Sequence, residues 1–293
     1  MSNVINYKSL TIEINNKIAH IKLNRPDEFN SMNLDFWHDF PKAIHDINND
    51  NAARVIVISS TGKHFCAGMD LSTDGNVFGF DESLQPTIKD VERQLEGPDL
   101  IDGIRDAGGT MALAIYDCKK PVIAAINGAA VGVGATMTCA MDIRLASEKA
   151  RIGFVFNKIG IVPEACSSWF LPRIVGVSQA LEWSYTGDII DAEEARSSGF
   201  VKAVYPPDQL LEEAYKIDRK IVAHSPVAIA LTRQMMYRNS AQSHPVEAHK
   251  VDSLAMFYVS LQDGKEGVKS FLEKRAPEFT SKASGMPEFY PWW

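Results

Sequence analysis

PVIAAINGAAVGVGAT, residues 121–136, is the stretch on which the fold turns. Residues 122–126 form an apolar, β-rich run as long as one buried strand. Asn127-Gly128 ends it, and small residues follow at Gly128, Ala129, Ala130, Gly132, Gly134 and Ala135. The pattern reads as a buried strand passing through a tight turn into the first turn of a helix. Small side chains let a ligand lie against the backbone, and a helix start offers unpaired N–H groups that can hold a negative oxygen. The same composition also suits a crowded strand–helix seam, where Gly and Ala serve only close approach. From this stretch alone both readings stand.

A second stretch of the same kind, GKHFCAGMDL at 62–71, directly follows the short apolar run RVIVIS at 54–59. Upstream, residues 10–14 and 18–23 flank Asn15-Asn16 as a β-hairpin. Asn33 is placed to cap a helix with an apolar face of Leu34, Trp37, Ile44 and Ile47, and Pro41 predicts a kink or a late start within it. Residues 72–110 are rich in Gly, Asp and Pro and form an irregular, lid-like excursion. Its helical segments are residues 88–95 and a helix from about Asp99 to Tyr116. Downstream, strands are expected at 142–146 and 151–154, and a helix from near Pro163 to the stop at Gly176. Helices at 178–185 and 192–198, a strand at 200–205 and a helical pattern from Pro207 onward complete the chain. Its starts there are Ser225-Pro226, Ser243 and Gly264.

At 293 residues the chain can bury a large core. A net charge of −7 with no Lys/Arg run argues against nucleic-acid binding, so an anionic ligand needs local N–H groups and a few placed cations. Cys66, Cys118, Cys139 and Cys166 lack zinc-type spacing and sit among apolar or small residues, which predicts buried, reduced thiols. No histidine pair has metal-ligand spacing, so no metal is expected. The polar start MSNVINYKS, the Pro-Trp-Trp end and the lack of a membrane-length apolar stretch lead to the expectation of a cytoplasmic protein without a membrane partner. The aromatic tail, residues 289–293, is expected to pack on something, such as a subunit interface.

FCAGMDL (65–71), KPVIAAINGAAVGVGA (120–135), DIRLAS (142–147) and FLEKRAPEF (271–279) together resemble the crotonase, or enoyl-CoA hydratase/isomerase, superfamily. The resemblance runs from Ile18 to Phe279 and is weakest over 72–110. It implies an α/β fold: a right-handed spiral of ββα units over residues 1–205, then a C-terminal helical trimerisation region and tail over 206–293. It further implies an acyl-CoA thioester substrate, no cofactor beyond the coenzyme A of that substrate, and a homotrimer or dimer of trimers. Two backbone N–H groups would hold a thioester enolate oxygen, and they carry over to Met69 and Val133. A full charge on one oxygen is what preorganised amides in a dry site stabilise by several kcal/mol, roughly 3 or more.

The proton carrier departs from the hydratase pattern. Where hydratases of the family carry two glutamates, this chain has Thr136 and Phe156, neither of which can act as a carboxylate acid or base. Glu164 instead stands where monofunctional 3-enoyl-CoA isomerases carry their glutamate, and related dienoyl- and ring-opening isomerases an aspartate. One base suffices to move a proton from C2 to C4, and burial against Phe156 and Trp169 would raise its pKa toward that task. The alternative role of Glu164 is a helix-N-terminal carboxylate after Pro163, which would lower its pKa. The resemblance places coenzyme A along Ala67, Gly68, Asp70, Leu71 and Gly132, with Phe271 and Lys274 approaching from a C-terminal helix, in many relatives that of a neighbouring subunit. Asp70 and Asp142 also have structural readings, as a turn cap and a strand-edge residue. The activity expected is 3-enoyl-CoA to 2-enoyl-CoA isomerisation, with 2-enoyl-CoA hydration and a non-catalytic binding scaffold as alternatives.

Overall fold

Strands from successive turns of the chain are dealt alternately to two sheets. In the computed structural model, which describes residues 4–72, 76–95 and 103–293, the strands are β1 (Val4–Asn6), β2 (Leu10–Asn15), β3 (Ile18–Leu23), β4 (Val55–Ser60) and β5 (Val122–Ile126). They continue with β6 (Ala129–Val131), β7 (Ile143–Ser147), β8 (Arg151–Gly153), β9 (Ile189–Asp191) and β10 (Ala203–Tyr205). The larger sheet runs β1-β2-β3-β4-β5-β7-β10 and the smaller β6-β8-β9. From β3 to β10 the larger sheet is parallel, and β6 pairs parallel with β8. Each turn thus leaves a strand in one sheet, steps to the other and returns by a helix. This is the spiral of ββα units that the resemblance implies.

Helices cover both faces. They are α1 (Leu34–Asn49), α2 (Ile88–Leu95), α3 (Ala107–Asp117), α4 (Val133–Cys139), α5 (Ser167–Val175) and α6 (Val177–Thr186). After α7 (Ala192–Ser197) come α8 (Leu210–Val222), α9 (Pro226–Asn239), α10 (Pro245–Leu261) and α11 (Asp263–Glu273). The alternation along β4 shows the two layers: Ile56 and Ile58 join the main core with Phe36, Phe40 and Met111, while Val55 and Val57 meet Leu210 and Ala214 of α8. Arg233 ties α9 to the spiral through the carbonyls of Ile115 (2.8 Å) and Tyr116 (2.9 Å) and the carboxylate of Asp142 (2.9 Å). Asp142 also accepts from Val122 N and Tyr237 Oη, a structural role. The aromatic tail folds back on its own chain, with Phe289 and Trp292 against Val227, Leu231 and Ala255, and Trp293 beneath Arg238.

Several boundaries differ from expectation, each for a local reason. The β2–β3 turn uses Asn16 and Lys17, both at positive φ (50° and 67°). Pro41 lies within an α1 that starts at Leu34, because Asn33 accepts from Phe36 N at 3.0 Å. The expected start of α3 near Asp99 falls outside the described residues; the helix begins at Ala107, where Asp106 caps it. Helix α5 begins at Ser167, not near Pro163, since Ala165 and Cys166 take left-handed φ of 57° and 53°. The expected strand from 200 narrows to β10, and the short strands β6 and β9 went unread. Cys66, Cys118 and Cys139 are buried, Cys166 partly so, and all four are free thiols. Among the described residues no helix is long and apolar enough to cross a membrane.

Candidate active site

Two turns from neighbouring layers of the spiral meet at the mouth of one cavity. Cys66 joins β6 as an extra strand, donating to Ala129 O and accepting from Val131 N, both at 3.0 Å. The chain can approach this closely only because Gly134 lacks a side chain: a Cβ there would stand 2.1 Å from Cys66 O. Just beyond, Gly68 (φ 104°) and Gly132 (φ 56°, ψ −127°) adopt conformations that favour glycine, and a Cβ on Gly132 would lie 3.8 Å from Gly68 Cα. Positive φ thus falls on Gly132 and not on Val133, so a β-branched residue is tolerated in the middle of Gly-Val-Gly.

The hydrogen-bond ledger of these turns leaves specific donors over. Gly68 O accepts from Met32 N and Met32 O from Asp70 N, both at 2.8 Å, bracketing Met69. Gly132 N donates to Gly153 O, while Ala135 N and Thr136 N donate to Gly132 O. Among the described residues the N–H groups of Met69 and Val133, and that of Gly134, find no acceptor. Met69 and Val133 both line the cavity, whose volume is about 620 Å³. Its other walls are mainly apolar: Phe78 and Phe80 from the 72–110 excursion, and Phe156, Ile159, Ile161 and Val162 from the chain between β8 and α5.

Glu164 also lines the cavity. It is partly buried, and desolvation pushes its carboxyl from the usual carboxylate range up to about 8. The nearby Asp106 carboxylate adds to the rise by its charge and by hydrogen bonding, while the Thr136 hydroxyl, which donates to Glu164 Oε1, opposes it. Gly108, on the first turn of α3, makes the room: a Cβ there would sit 1.5 Å from Glu164 Oε2. Because α5 starts only at Ser167, Glu164 is a loop residue, and the pKa-lowering helix-end role does not apply to it.

Known proteins resemble this chain over most of its length. The enoyl-CoA hydratase/isomerase family model matches residues 13–101 and 92–282. An enoyl-CoA hydratase of Alternaria alternata is 40% identical over 266 residues, covering 89% of this chain and 82% of the relative. The chain belongs to the enoyl-CoA hydratase/isomerase family. A 1,2-epoxyphenylacetyl-CoA isomerase of Escherichia coli is 29% identical over 90% of this chain and 95% of its own. The crystal structure of an enoyl-CoA hydratase from Bacillus anthracis superposes with a TM-score of 0.76 at 29% identity, over 95% of this chain and 98% of that one.

Within this enoyl-CoA hydratase/isomerase fold, the expected residues divide into three groups. Ala67, Gly68, Met69, Leu71, Gly132, Val133, Phe156 and Glu164 line one cavity. Thr136 and Asp70 stand behind it. Thr136 holds Glu164, whereas Asp70 caps its own turn through Ser72 and pairs with Arg25 at 3.2 Å. Trp169 is a correction: it does not wall Glu164 but packs against Tyr116 and Phe170, with the Arg173 guanidinium 3.9 Å from its ring centroid. Trp169 sits in α5 within the aromatic cluster of Tyr116, Phe170 and Tyr237, away from the residues that line the cavity. Phe271 and Lys274 lie at the end of α11, with Phe271 82% exposed, and neither lines the cavity of its own chain. Sequence reasoning missed Asp106 and Gly108. The one signal for them was the Asp106-Ala107-Gly108-Gly109 run, a cap residue before small ones.

Proposed function

We propose that this chain isomerises 3-enoyl-CoA thioesters to 2-enoyl-CoA thioesters, with Glu164 as the single proton carrier. The observation that carries this reading is one partly buried, high-pKa carboxylate lining a cavity that also receives two unpaired backbone N–H groups. In the reaction, Glu164 removes a proton from C2 of the bound thioester and the electrons move onto the carbonyl oxygen. Met69 N–H and Val133 N–H hydrogen-bond that oxygen, stabilising charge present only after proton removal. The protonated Glu164 then delivers the same proton to C4, moving the double bond from C3–C4 to C2–C3. An apolar cavity suits this step, since it keeps water from the dienolate and keeps the carboxylate basic. Ala67, Gly68, Leu71 and Gly132 lie along the thioester path, the phenylalanines of the excursion meet the acyl group, and Phe156 replaces a water-directing carboxylate by an apolar wall.

Coenzyme A binding is completed by a second subunit in this reading. Phe271 and Lys274 are exposed at the end of α11, beside an apolar face that includes Met256, Val268 and Leu272. A homotrimer that buries this face brings Phe271 and Lys274 over the coenzyme of a neighbouring copy.

Hydration of 2-enoyl-CoA is the second reading. It is favoured by Asp106, a second carboxylate lining the cavity beside Glu164. The test uses one purified preparation with a 3-enoyl-CoA and, separately, a 2-trans-enoyl-CoA, following the ultraviolet absorbance of the conjugated enoyl thioester. A rise with the 3-enoyl substrate that Glu164→Gln lowers by about a thousandfold, with acyl-CoA binding retained, is the expected result. A fall with the 2-enoyl substrate and no rise with the other makes the chain a hydratase, and a fully active Glu164→Gln removes the carrier.

A further inference from the structure

Glu164 is held by a loop that the chain does not favour by itself. Ala165 and Cys166, consecutive non-glycine residues at φ 57° and 53°, follow it directly. Left-handed backbone costs such residues roughly 1 kcal/mol or more each, so something must hold the segment in place. Bonds from Ser167 N to Glu164 O and from Trp169 N to Cys166 O tie it to α5, and the tie across to α3 is Asp106. Its Oδ1 accepts from Ala165 N at 3.1 Å and from Gly109 N in the first turn of α3, so a single oxygen joins the Glu164 loop to that helix. Neither bond uses Oδ2. The Asp106 carboxylate also acts on Glu164 by its charge, and both side chains line the cavity.

We propose that Asp106 is a positioning residue for Glu164: one carboxylate oxygen fixes the loop that carries it, and its charge faces the same cavity as the Glu164 carboxyl. The inference rests on Glu164 being the proton carrier, yet it concerns a pair of side chains that exists before any substrate arrives. The other titratable groups facing Glu164 are the thiols of Cys66, Cys139 and Cys166, which burial pushes up to about 12, 12 and 11 and keeps uncharged. Arg105 lies near Cys166 and acts on that thiol. Asp106 therefore stands as the negative neighbour of Glu164. Its charge makes Glu164 a stronger base once ionised, and moves the acid limb of activity toward alkaline pH.

Asp106→Asn separates the two tasks, because Asn keeps Oδ1 as the acceptor for Ala165 and Gly109 while losing the charge. The readout is the infrared carbonyl stretch of the protonated Glu164 carboxyl in ligand-free protein, assigned by its loss in Glu164→Gln. In the parent protein this band should persist to about pH 8. In Asp106→Asn it should vanish at least about one pH unit lower, with kcat/KM for the 3-enoyl substrate moving its acid limb by the same amount. Titrations that superimpose overturn the proposal. Should Asp106→Asn fail to fold, the parent protein carrying 13C-carboxyl aspartate is titrated instead. One aspartate resonance must then respond at the Glu164 step and lose that response in Glu164→Gln, and its silence overturns the proposal equally. A shifted infrared titration in a protein inert toward 3-enoyl-CoA would retire the isomerase reading and leave the Asp106–Glu164 pair standing.

Discussion

The two walls of the cavity are built on opposite principles. The wall of residues 66–71 and 130–134 works through its backbone: Met69 and Val133 contribute N–H groups, and Gly68, Gly132 and Gly134 contribute the lack of a side chain. The wall of residues 106–108 and 155–164 works through side chains, with Glu164 held by Thr136, its loop held by Asp106, and its carboxylate in a gap left by Gly108. The backbone wall is part of the spiral's hydrogen bonding, so damage there reaches the fold. The carboxylate wall hangs from one loop, so damage there reaches the chemistry first. Even the glycines differ: Gly134 makes room for a carbonyl that cannot move, Gly108 for a carboxylate that can.

Substitution of these two glycines is the sharpest way to break the contrast. Gly134→Ala places a Cβ on Cys66 O and should cost at least about 3 kcal/mol of folding stability, read as a fall in urea midpoint. A stable Gly134→Ala protein would show that the two turns are less tightly joined than the structure has them. The nearest atoms to a Cβ in Gly108→Ala are those of the Glu164 carboxylate and the Ala165 side chain. This variant should fold, bind acyl-CoA and lose turnover by about a hundredfold, because a displaced base is no longer aligned with C2. If Gly108→Ala instead unfolds the protein and leaves the residual folded fraction fully active, the two walls are alike after all.

A smaller effect tests the burial of Glu164 itself. Its pKa rises from the ordinary 4.5 to about 8 on folding, so the folded state binds this proton more tightly than the unfolded state. That contribution to stability is fully present below about pH 4.5 and is lost as pH climbs to about 8. Glu164→Gln carries no such dependence. Its melting temperature should therefore gain on the parent protein between about pH 5 and 8, by several degrees, and hold level above. A difference that stays constant with pH would mean that Glu164 is solvated.

The backbone wall was legible because glycines leave a local mark: FCAGMDL after one strand and NGAAVGVGAT after another announce turns that approach something closely. The carboxylate wall was only half legible. Glu164 was found through a family likeness, while its neighbours Asp106 and Gly108 lie 58 and 56 residues away in sequence, beside the excursion where that likeness is weakest. Trp169 was misplaced for a related reason. The helix start expected near Pro163 ignored the two left-handed residues that delay it, and nothing in Ala165-Cys166 by composition asks for positive φ.

By itself the sequence determined the strand-turn-helix units, their order, the caps at Asn33 and Ser225 and the turns at 68 and 132, since hydrophobic period, capping and glycine placement act over a few residues. Only the tertiary structure decided that Glu164 would be buried, which groups would face it and how its proton would be held. Those depend on desolvation and on charges brought together from α3, α4 and the loop before α5, and a pKa is set by all the neighbours in space, few of which are neighbours in the chain.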